Sequence, residues 1–359
     1  MVSLFQRRPS LAAAAANLEK HGFSPAEGGR LAAFLERSAP RAVYHANPRH
    51  LAEQLGLDER GALRLLVAAL YEGLITLHWD VRCPRCGQAT AHTGLNGLRH
   101  ETTCSFCQAT HAPRLDQEVR VTFSVHRRFR ALTPAADDRA YRAEVEARLG
   151  AVPGHTLLLL PEFQRLFPQE RLLPDESLEV ARVALLFTDL AGSTALYAQR
   201  GDPRAYHLVR LHFAELFAAA DRHGGTVVKN IGDAVMAAFQ TPAEALQAAL
   251  AMQAGIARLN QRERLAGDEQ LILKIGLHSG PCLHVTLNDR PDYFGTTVNV
   301  AARVQGLSRG RDVAFTDAVH GEAEAAALLA GRPLQTTRAA LKGLDGELTV
   351  YRLTGPDAV

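Results

Sequence analysis

Four cysteines, arranged as two pairs, place the strongest constraint on how this chain can fold. They form the pattern Cys-x2-Cys-x17-Cys-x2-Cys, and they are Cys83, Cys86, Cys104 and Cys107. Two residues between paired thiolates let both sulfurs reach one tetrahedral ion from a tight turn, which is typical of a zinc ribbon. Two disulfides or free thiols are the alternatives, but a cytosolic chain keeps its thiols reduced. The pattern therefore predicts a structural Zn²⁺ site.

A stretch of helical pattern precedes the ribbon. Asn47 with Pro48, and then Asp58, each stand before apolar residues of helical period, as helix N-caps do. The alternating residues 75–81 predict a strand that enters the ribbon. This order resembles a helix-turn-helix with a wing. Its second helix has few positive side chains, so we expect docking or sensing, and we do not expect nucleic acid as a partner.

The charge balance and the apolar runs exclude two classes of protein. Forty basic residues face 38 acidic ones, for a net charge of +2, which excludes a protein that coats DNA by charge alone. No apolar run approaches the ~18 residues that a membrane-spanning helix needs. The sequence therefore predicts a cytoplasmic protein without a membrane partner.

The pattern changes along the chain and suggests four regions. After the ribbon come five prolines with a charged helical segment between them, a composition typical of a linker. Beyond them, strands and helices alternate regularly. We predict N-terminal helices over 1–40, the winged-helix-like segment with its zinc ribbon over 41–125, a proline-rich linker over 126–177 and a catalytic domain over 178–359.

The last region has an α+β pattern. A buried strand over residues 183–187 is followed by a long helix that begins at Asp202. A hairpin around residues 230–233, a helix capped by Thr241 and a strand over residues 271–277 come next. This order of elements predicts a sandwich with an antiparallel sheet.

Two aspartates stand where apolar strands of this region end. Asp189 ends the first strand, and Asp233 lies at the hairpin tip. Carboxylates at such loop tips suit hard cations such as Mg²⁺, and the backbone N–H groups of Leu190, Gly192, Ser193 and Thr194 could hold phosphates. The alternative is that Asp189 merely caps a helix and Asp233 stabilises a turn.

Asn299 and Arg303 are four residues apart, so they share one face of a predicted helix. The apolar residues between them take other faces, so packing does not require this pair. A guanidinium at a phosphoryl group stabilises the charge that develops there during substitution. The pair is therefore a candidate for catalysis.

With these motifs, residues 178–359 resemble the class III adenylate/guanylate cyclase catalytic domain. The motifs occur in the order of that family, at residues 187–194, 228–233, 276–280, 292–295, 298–303 and 341–343. The resemblance implies a ferredoxin-like α+β fold. It also implies that Asp189 and Asp233 hold two Mg²⁺ or Mn²⁺ ions and that Asn299 and Arg303 stabilise the transition state.

The resemblance assigns the remaining substrate contacts to Lys229 and Asp292, which select adenine, and to Lys342, which binds phosphate. Only four of the 40 basic residues are lysines, and two of them, Lys229 and Lys342, fall on positions where the family has lysine. A lysine donor and an aspartate acceptor match adenine, whereas guanine presents the reversed pattern.

The predicted protein is thus an adenylate cyclase that converts ATP to cyclic AMP and pyrophosphate. In the resembled family the sites form across a head-to-tail homodimer, and we expect the N-terminal module to regulate them. Two alternatives stay open. One is a DNA-binding regulator that senses nucleotide through an inactive cyclase domain, and the other is a guanylate cyclase.

Overall fold

The structure of the protein is a computed structural model that describes residues 10–192, 202–341 and 346–354, with residues 202 and 203 described by their backbone alone. The chain divides into two compact units. The first comprises Met1–Leu158 and Glu162–Leu178, and the second comprises Leu159–Pro161 and Glu179–Val359. Among the described helices, none is long and apolar enough to cross a bilayer.

The first unit begins with four helices whose starts the sequence encodes locally. They are α1 (Leu11–Ala15), α2 (Pro25–Arg37), α3 (Pro48–Leu55) and α4 (Glu59–Tyr71). The Asn47 side chain accepts a hydrogen bond from the Arg49 N–H at the start of α3, and Asp58 accepts one from the Gly61 N–H at the start of α4. These bonds satisfy N–H groups that have no partner inside a helix, and both predicted caps are confirmed.

The strands of the first unit form two small sheets. They are β1 (Ile75–Arg82), β2 (Ala89–His92), β3 (Thr102–Thr103), β4 (Thr110–His111) and β5 (Val119–Val125). The larger sheet has the antiparallel order β2-β1-β5, and β3 pairs with β4. β1 and β5 pair as an antiparallel hairpin. Since all four paired cysteines lie between these two strands, the cysteine-bearing segment is an insertion in the hairpin. The order α3, α4, β1 agrees with the predicted elements, whereas β5 was not predicted. The winged-helix assignment stays a prediction.

The segment predicted as a linker is largely folded into the first unit. It contains α5 (Arg139–Leu149), α6 (Gly154–Leu158) and α7 (Pro161–Leu166). Phe163 is buried with its ring 6.1 Å from that of Trp79. The prediction took the prolines as breaks, but Pro161 opens a helix, where the missing N–H costs no hydrogen bond.

The second unit is built on one sheet of eight strands. Seven follow the order β12-β13-β11-β9-β6-β8-β7, and β10 pairs with β9. The strands are β6 (Ser177–Leu190), β7 (Thr226–Ile231), β8 (Ala234–Phe239), β9 (Leu273–Leu287), β10 (Arg290–Phe294), β11 (Asp312–Thr316), β12 (Leu334–Ala340) and β13 (Glu347–Thr354).

The sheet is mixed, which corrects the predicted antiparallel sheet. β11 runs parallel to β9, while the pairs β6–β8, β7–β8, β9–β10, β11–β13 and β12–β13 are antiparallel. A parallel pair needs a crossover connection, and the helix between β10 and β11 provides it. The helices of this unit are α8 (Asp202–Arg222), α9 (Pro242–Arg262), α10 (Thr296–Gln305), α11 (Asp317–His320) and α12 (Ala323–Leu329).

Helices cover both faces of this sheet. Leu246 of α9 and Phe315 of β11 belong to the large buried cluster on one face. The neighbouring Ala314 points to the other face, where it joins Val300 and Val304 of α10 in a smaller cluster. Successive strand residues point to opposite faces, so β11 supplies both cores.

Short 3-10 helices complete the described structure, at Ala16–His21, Pro40–Ala42, Leu95–Gly97, Pro134–Ala136 and Gly267–Glu269.

Candidate active site

The two predicted metal ligands lie beside each other at one end of β6 and β8. These strands pair antiparallel with Phe187 opposite Met236, and the Val235 N–H donates to the Thr188 Oγ1 at 3.0 Å. Asp189 therefore follows directly beside the turn that carries Asp233. Burial, and then the negative charge of Asp233, raise the pKa of the Asp189 carboxyl above its usual value.

This acidic pair fits a divalent cation. Within the described residues the Asp233 Oδ2 is buried and has no hydrogen-bond partner. A buried carboxylate oxygen without a donor is costly, and so is a like charge facing it. Carboxylate oxygens are the ligands that Mg²⁺ and Mn²⁺ prefer, so a cation between Asp189 and Asp233 would remove both costs.

Two further residues face the acidic pair and were missed from the sequence. Lys274 on β9 has a positive charge that lowers the pKa of Asp189. His212 on α8 is fully buried, and burial lowers its pKa to about 4 although the charge of Asp233 opposes this. A neutral imidazole thus lies near Asp233. The scarcity of lysine was a usable signal for Lys274, whereas His212 lies in a long helix without any distinguishing pattern.

The predicted base-selecting residues form an ion pair. The Lys229 Nζ on β7 donates to the Asp292 Oδ2 on β10 at 2.5 Å. The other carboxylate oxygen, Oδ1, accepts the N–H of Tyr293 at 2.8 Å, and the Asp292 side chain is buried. The structure therefore brings these two residues together and holds the aspartate from two sides.

Asn299 and Arg303 lie on α10, as predicted, one helical turn apart. Asn299 is exposed, whereas the Arg303 Nη1 is buried and has no hydrogen-bond partner among the described residues. α10 can pack closely on β9 because Gly276 has no Cβ, which would collide with the backbone of Gln305. An unpaired guanidinium nitrogen held in this way suits an anionic oxygen.

The predicted phosphate-binding residues are described only in part. Leu190 is buried at the end of β6, and Gly192 adopts a left-handed conformation with φ +73°, which favours glycine. Ser193, Thr194 and Lys342 lie outside the described residues.

The four paired cysteines converge in the first unit. Their Sγ atoms all lie within 4.8 Å of one another, with 3.6 Å between Cys83 and Cys107 and 3.7 Å between Cys86 and Cys104. A tetrahedral ion with Zn–S bonds of about 2.3 Å places its ligands about 3.8 Å apart. All are free thiols rather than disulfides. The donor set therefore fits zinc.

Backbone hydrogen bonds close both turns of the cysteine cluster and favour the thiolate form of Cys104. In each pair the first cysteine carbonyl accepts an N–H from four residues later, at 2.9 Å from Gly87 and 3.0 Å from Gln108. Backbone N–H groups of Cys107 and Phe106 lower the pKa of Cys104 to about 7, whereas burial and the neighbouring thiols raise the pKa of Cys86 to about 12. A lowered pKa favours the thiolate, which is the form that binds metal.

Comparison with known proteins identifies the second unit. Residues 176–354 match the family described as "Adenylate and Guanylate cyclase catalytic domain". This part of the chain is a cyclase domain. The resemblance predicted for residues 178–359 is thereby confirmed. Residues 13–145 match a family of unknown function, DUF5939.

Two relatives of the cyclase domain are named adenylate cyclases. Adenylate cyclase 1 of Rhizobium meliloti is 27% identical over 48% of this chain, and the adenylate cyclase of Anabaena cylindrica is 30% identical over 38%. These alignments span only 27% and 30% of the two relatives.

Two solved structures are also similar. The adenylyl cyclase CyaB from P. aeruginosa is 21% identical, over 50% of this chain and 96% of that one, with a TM-score of 0.44. The guanylate cyclase domain of RhGC from Catenaria anguillulae is 23% identical, over 49% and 98%, with a TM-score of 0.42.

Proposed function

We propose that the protein is an adenylate cyclase, which converts ATP to 3′,5′-cyclic AMP and pyrophosphate. The observation that carries this proposal is the Lys229–Asp292 ion pair, at 2.5 Å. Adenine offers an acceptor at N1 and a donor at N6, so a lysine N–H and a carboxylate oxygen at one place complement it. Guanine would set its donors against the lysine and its acceptor against the carboxylate, which disfavours GTP.

In the proposed reaction the ribose 3′ oxygen forms a bond to the α-phosphorus, the bond to pyrophosphate breaks, and the hydroxyl proton passes to solvent. Asp189 and Asp233 would hold two Mg²⁺ or Mn²⁺ ions. When bound, these ions would supply Lewis-acid activation of the hydroxyl and neutralisation of the triphosphate charge. Lys274 supports this site by limiting the repulsion between the two carboxylates.

The α10 pair acts on the reacting phosphate in this proposal. The buried, unpaired Arg303 Nη1 would donate to an oxygen of the phosphorus centre as its charge develops. Asn299 would hold the ribose in the orientation for attack. Lys342, with the backbone of Leu190, Gly192, Ser193 and Thr194, would bind the remaining phosphates.

We further propose a head-to-tail homodimer. Lys229 and Asp233 are only four residues apart, and an extended nucleotide separates its base from its metal-bound phosphates. One protomer would supply Asp189 and Asp233 and its partner the base-binding and α10 residues, so that two equal sites form. The first unit, with structural zinc at its four cysteines, would regulate them, in a cytoplasmic protein whose thiols stay reduced.

Chromatographic detection of cyclic nucleotide tests the catalytic proposal. The full chain is incubated with ATP and with GTP, in Mg²⁺ and in Mn²⁺, and we expect cyclic AMP as the main product. Asp233→Ala should abolish it, while the matched control Asp268→Ala, at an exposed acid of the same domain, should not. Cyclic GMP as the main product would refute the assignment of Lys229 and Asp292 to adenine. The absence of any product from either nucleotide would refute the proposed cyclase activity.

A ribbon variant tests regulation in the full chain. Cys104→Ser removes one ligand of the cysteine cluster, and Ser105→Ala is the matched control at the exposed neighbour. We expect the cyclization rate to change in Cys104→Ser alone. Equal rates in both variants and the unaltered protein would exclude a regulatory role for the ribbon.

A further inference from the structure

The first unit contains a cavity that no step of the cyclase reaction uses. Its volume is about 450 Å³, within the range of about 300–1,000 Å³ typical of small-molecule sites. It lies between α5 and the sheet strands β1 and β5. Because all its lining residues fall within residues 41–152, the cavity is independent of the cyclase domain.

Positive side chains dominate the lining of this cavity. Five arginines line it against two acidic residues, Asp80 and Glu146, and the arginines are Arg41, Arg82, Arg120, Arg139 and Arg142. One carboxylate oxygen, the Glu146 Oε1, accepts from both Arg82 and Arg120. Arg41 also pairs with Asp138, and Arg142 pairs with Asp137. With Asp80 and Glu146 included, four carboxylates face the five arginines, which leaves one positive charge over.

Two arginines present buried donors that the protein does not satisfy. Within the described residues, the Arg120 Nε and the Arg142 Nη1 are buried and have no hydrogen-bond partner. Both belong to side chains that stay charged at any physiological pH and that can only donate. A buried unpaired donor is costly, and an oxygen atom of a ligand would satisfy it. The arrangement therefore selects an anionic oxygen.

The carboxylate beside Arg120, that of Asp80 on the paired strand β1, already has its own partners. The Asp80 Oδ2 accepts from the Thr122 Oγ1 at 2.6 Å and lies 3.1 Å from the His45 Nδ1. This carboxylate has partners on its own sheet and does not call for a cation. Apolar side chains cover much of the remaining surface, including Ala46, Val121, Val145 and Val152.

We propose that this cavity binds a small organic anion, a carboxylate or a phosphate monoester. Its charged oxygens would accept from Arg120 and Arg142, and its uncharged body would lie against the apolar side chains. This binding site goes beyond the proposed cyclase function, and it gives the first unit a ligand of defined chemistry.

Calorimetric titration of the full chain tests the proposal with two probes. Inorganic phosphate represents the phosphate arm, benzoate represents a carboxylate with an apolar body, and chloride controls for ionic strength. No Mg²⁺ or Mn²⁺ is added, so that the acidic pair of the cyclase domain does not recruit phosphate. We expect saturable binding of at least one probe and none of chloride.

Variants then locate the site. Arg120→Gln and Arg142→Gln should each weaken binding about tenfold or more, because each removes a charge-assisted hydrogen bond. Arg30→Gln, at an exposed arginine of α2, should leave it unchanged. Arg142 pairs with an exposed acid, Asp137, so we expect Arg142→Gln to keep the fold. This variant therefore tests the site even if Arg120→Gln unfolds. Absence of saturation for both probes, or equal affinity in the three variants, would overturn the proposal.

Discussion

The two ion-directed clusters of this chain are assembled in opposite ways. In the first unit, four thiols come from two tight turns, and each turn closes its own backbone hydrogen bond, from Gly87 and from Gln108. In the second unit, Asp189 and Asp233 come from different strands and meet only because β6 pairs with β8. Ligand spacing in the sequence therefore reveals a site that is built from turns, whereas a site that is built across a sheet depends on strand pairing.

Removal of one carboxylate from the acidic pair should have the largest effect on the cyclization rate. Asp233→Asn should lower the cyclization rate by on the order of a thousandfold or more, because several kcal/mol of charge stabilisation at the reacting phosphate would be lost. Folding should be preserved, since the buried Asp233 Oδ2 has no hydrogen-bond partner among the described residues. The rate and the melting temperature are measured together. A full rate would refute the metal assignment, and a collapsed melting temperature would show that Asp233 is structural.

Removal of one thiolate from the cysteine cluster should lower stability and zinc binding. Cys104→Ser should remove the bound zinc and lower the stability of the full chain, because a structural zinc site couples its binding free energy to folding. Native mass spectrometry counts the ions, and calorimetry gives the melting temperature. Ser105→Ala, at the exposed neighbour, should keep one zinc per chain. Zinc at full occupancy in Cys104→Ser would contradict the four-thiolate assignment.

The ion pair between Lys229 of β7 and Asp292 of β10 is a second site in this domain that is assembled from different strands of the sheet. Lys229→Gln should lower kcat/KM for ATP by about tenfold to a hundredfold, because it removes a charged donor and leaves Asp292 buried without its partner. The ATP to GTP preference should fall with it. Kinetics with each nucleotide measure both effects, and a proportional loss for ATP and GTP would show that Lys229 does not read the base.

The smallest predicted effect concerns pH. Lys274 lowers the pKa of Asp189, so Lys274→Gln should raise that pKa further. A carboxyl with a higher pKa takes up a proton at a higher pH, and protons then compete with the metal. The acid limb of the pH–rate profile should therefore move to higher pH, with a rate near that of the unaltered protein at alkaline pH. Lys20→Gln, on an exposed lysine, is the control. An unmoved acid limb would show that the charge of Lys274 does not control the pKa of Asp189.

Local signals made much of the fold predictable. Helix N-caps depend only on adjacent residues, because each satisfies N–H groups within one helical turn. Examples are Asn47, Asp58 and the reciprocal capping pair of Thr241 and Glu244. The hairpin of β7 and β8 was also predicted, because its two strands are joined by a short turn of adjacent residues. The segment over 126–177 was misjudged because prolines at helix starts look like prolines in a linker.

The cysteine spacing, the helix caps, the motifs of the cyclase domain and the positions of its scarce lysines could all be read from the sequence. The tertiary structure decided which distant residues meet: Lys274 and His212 beside the acidic pair, and five arginines around one cavity. It also decided that β11 runs parallel to β9. The physical reason is range, since turns and caps depend on neighbours in the chain, whereas burial and electrostatic interactions depend on every element that packs nearby.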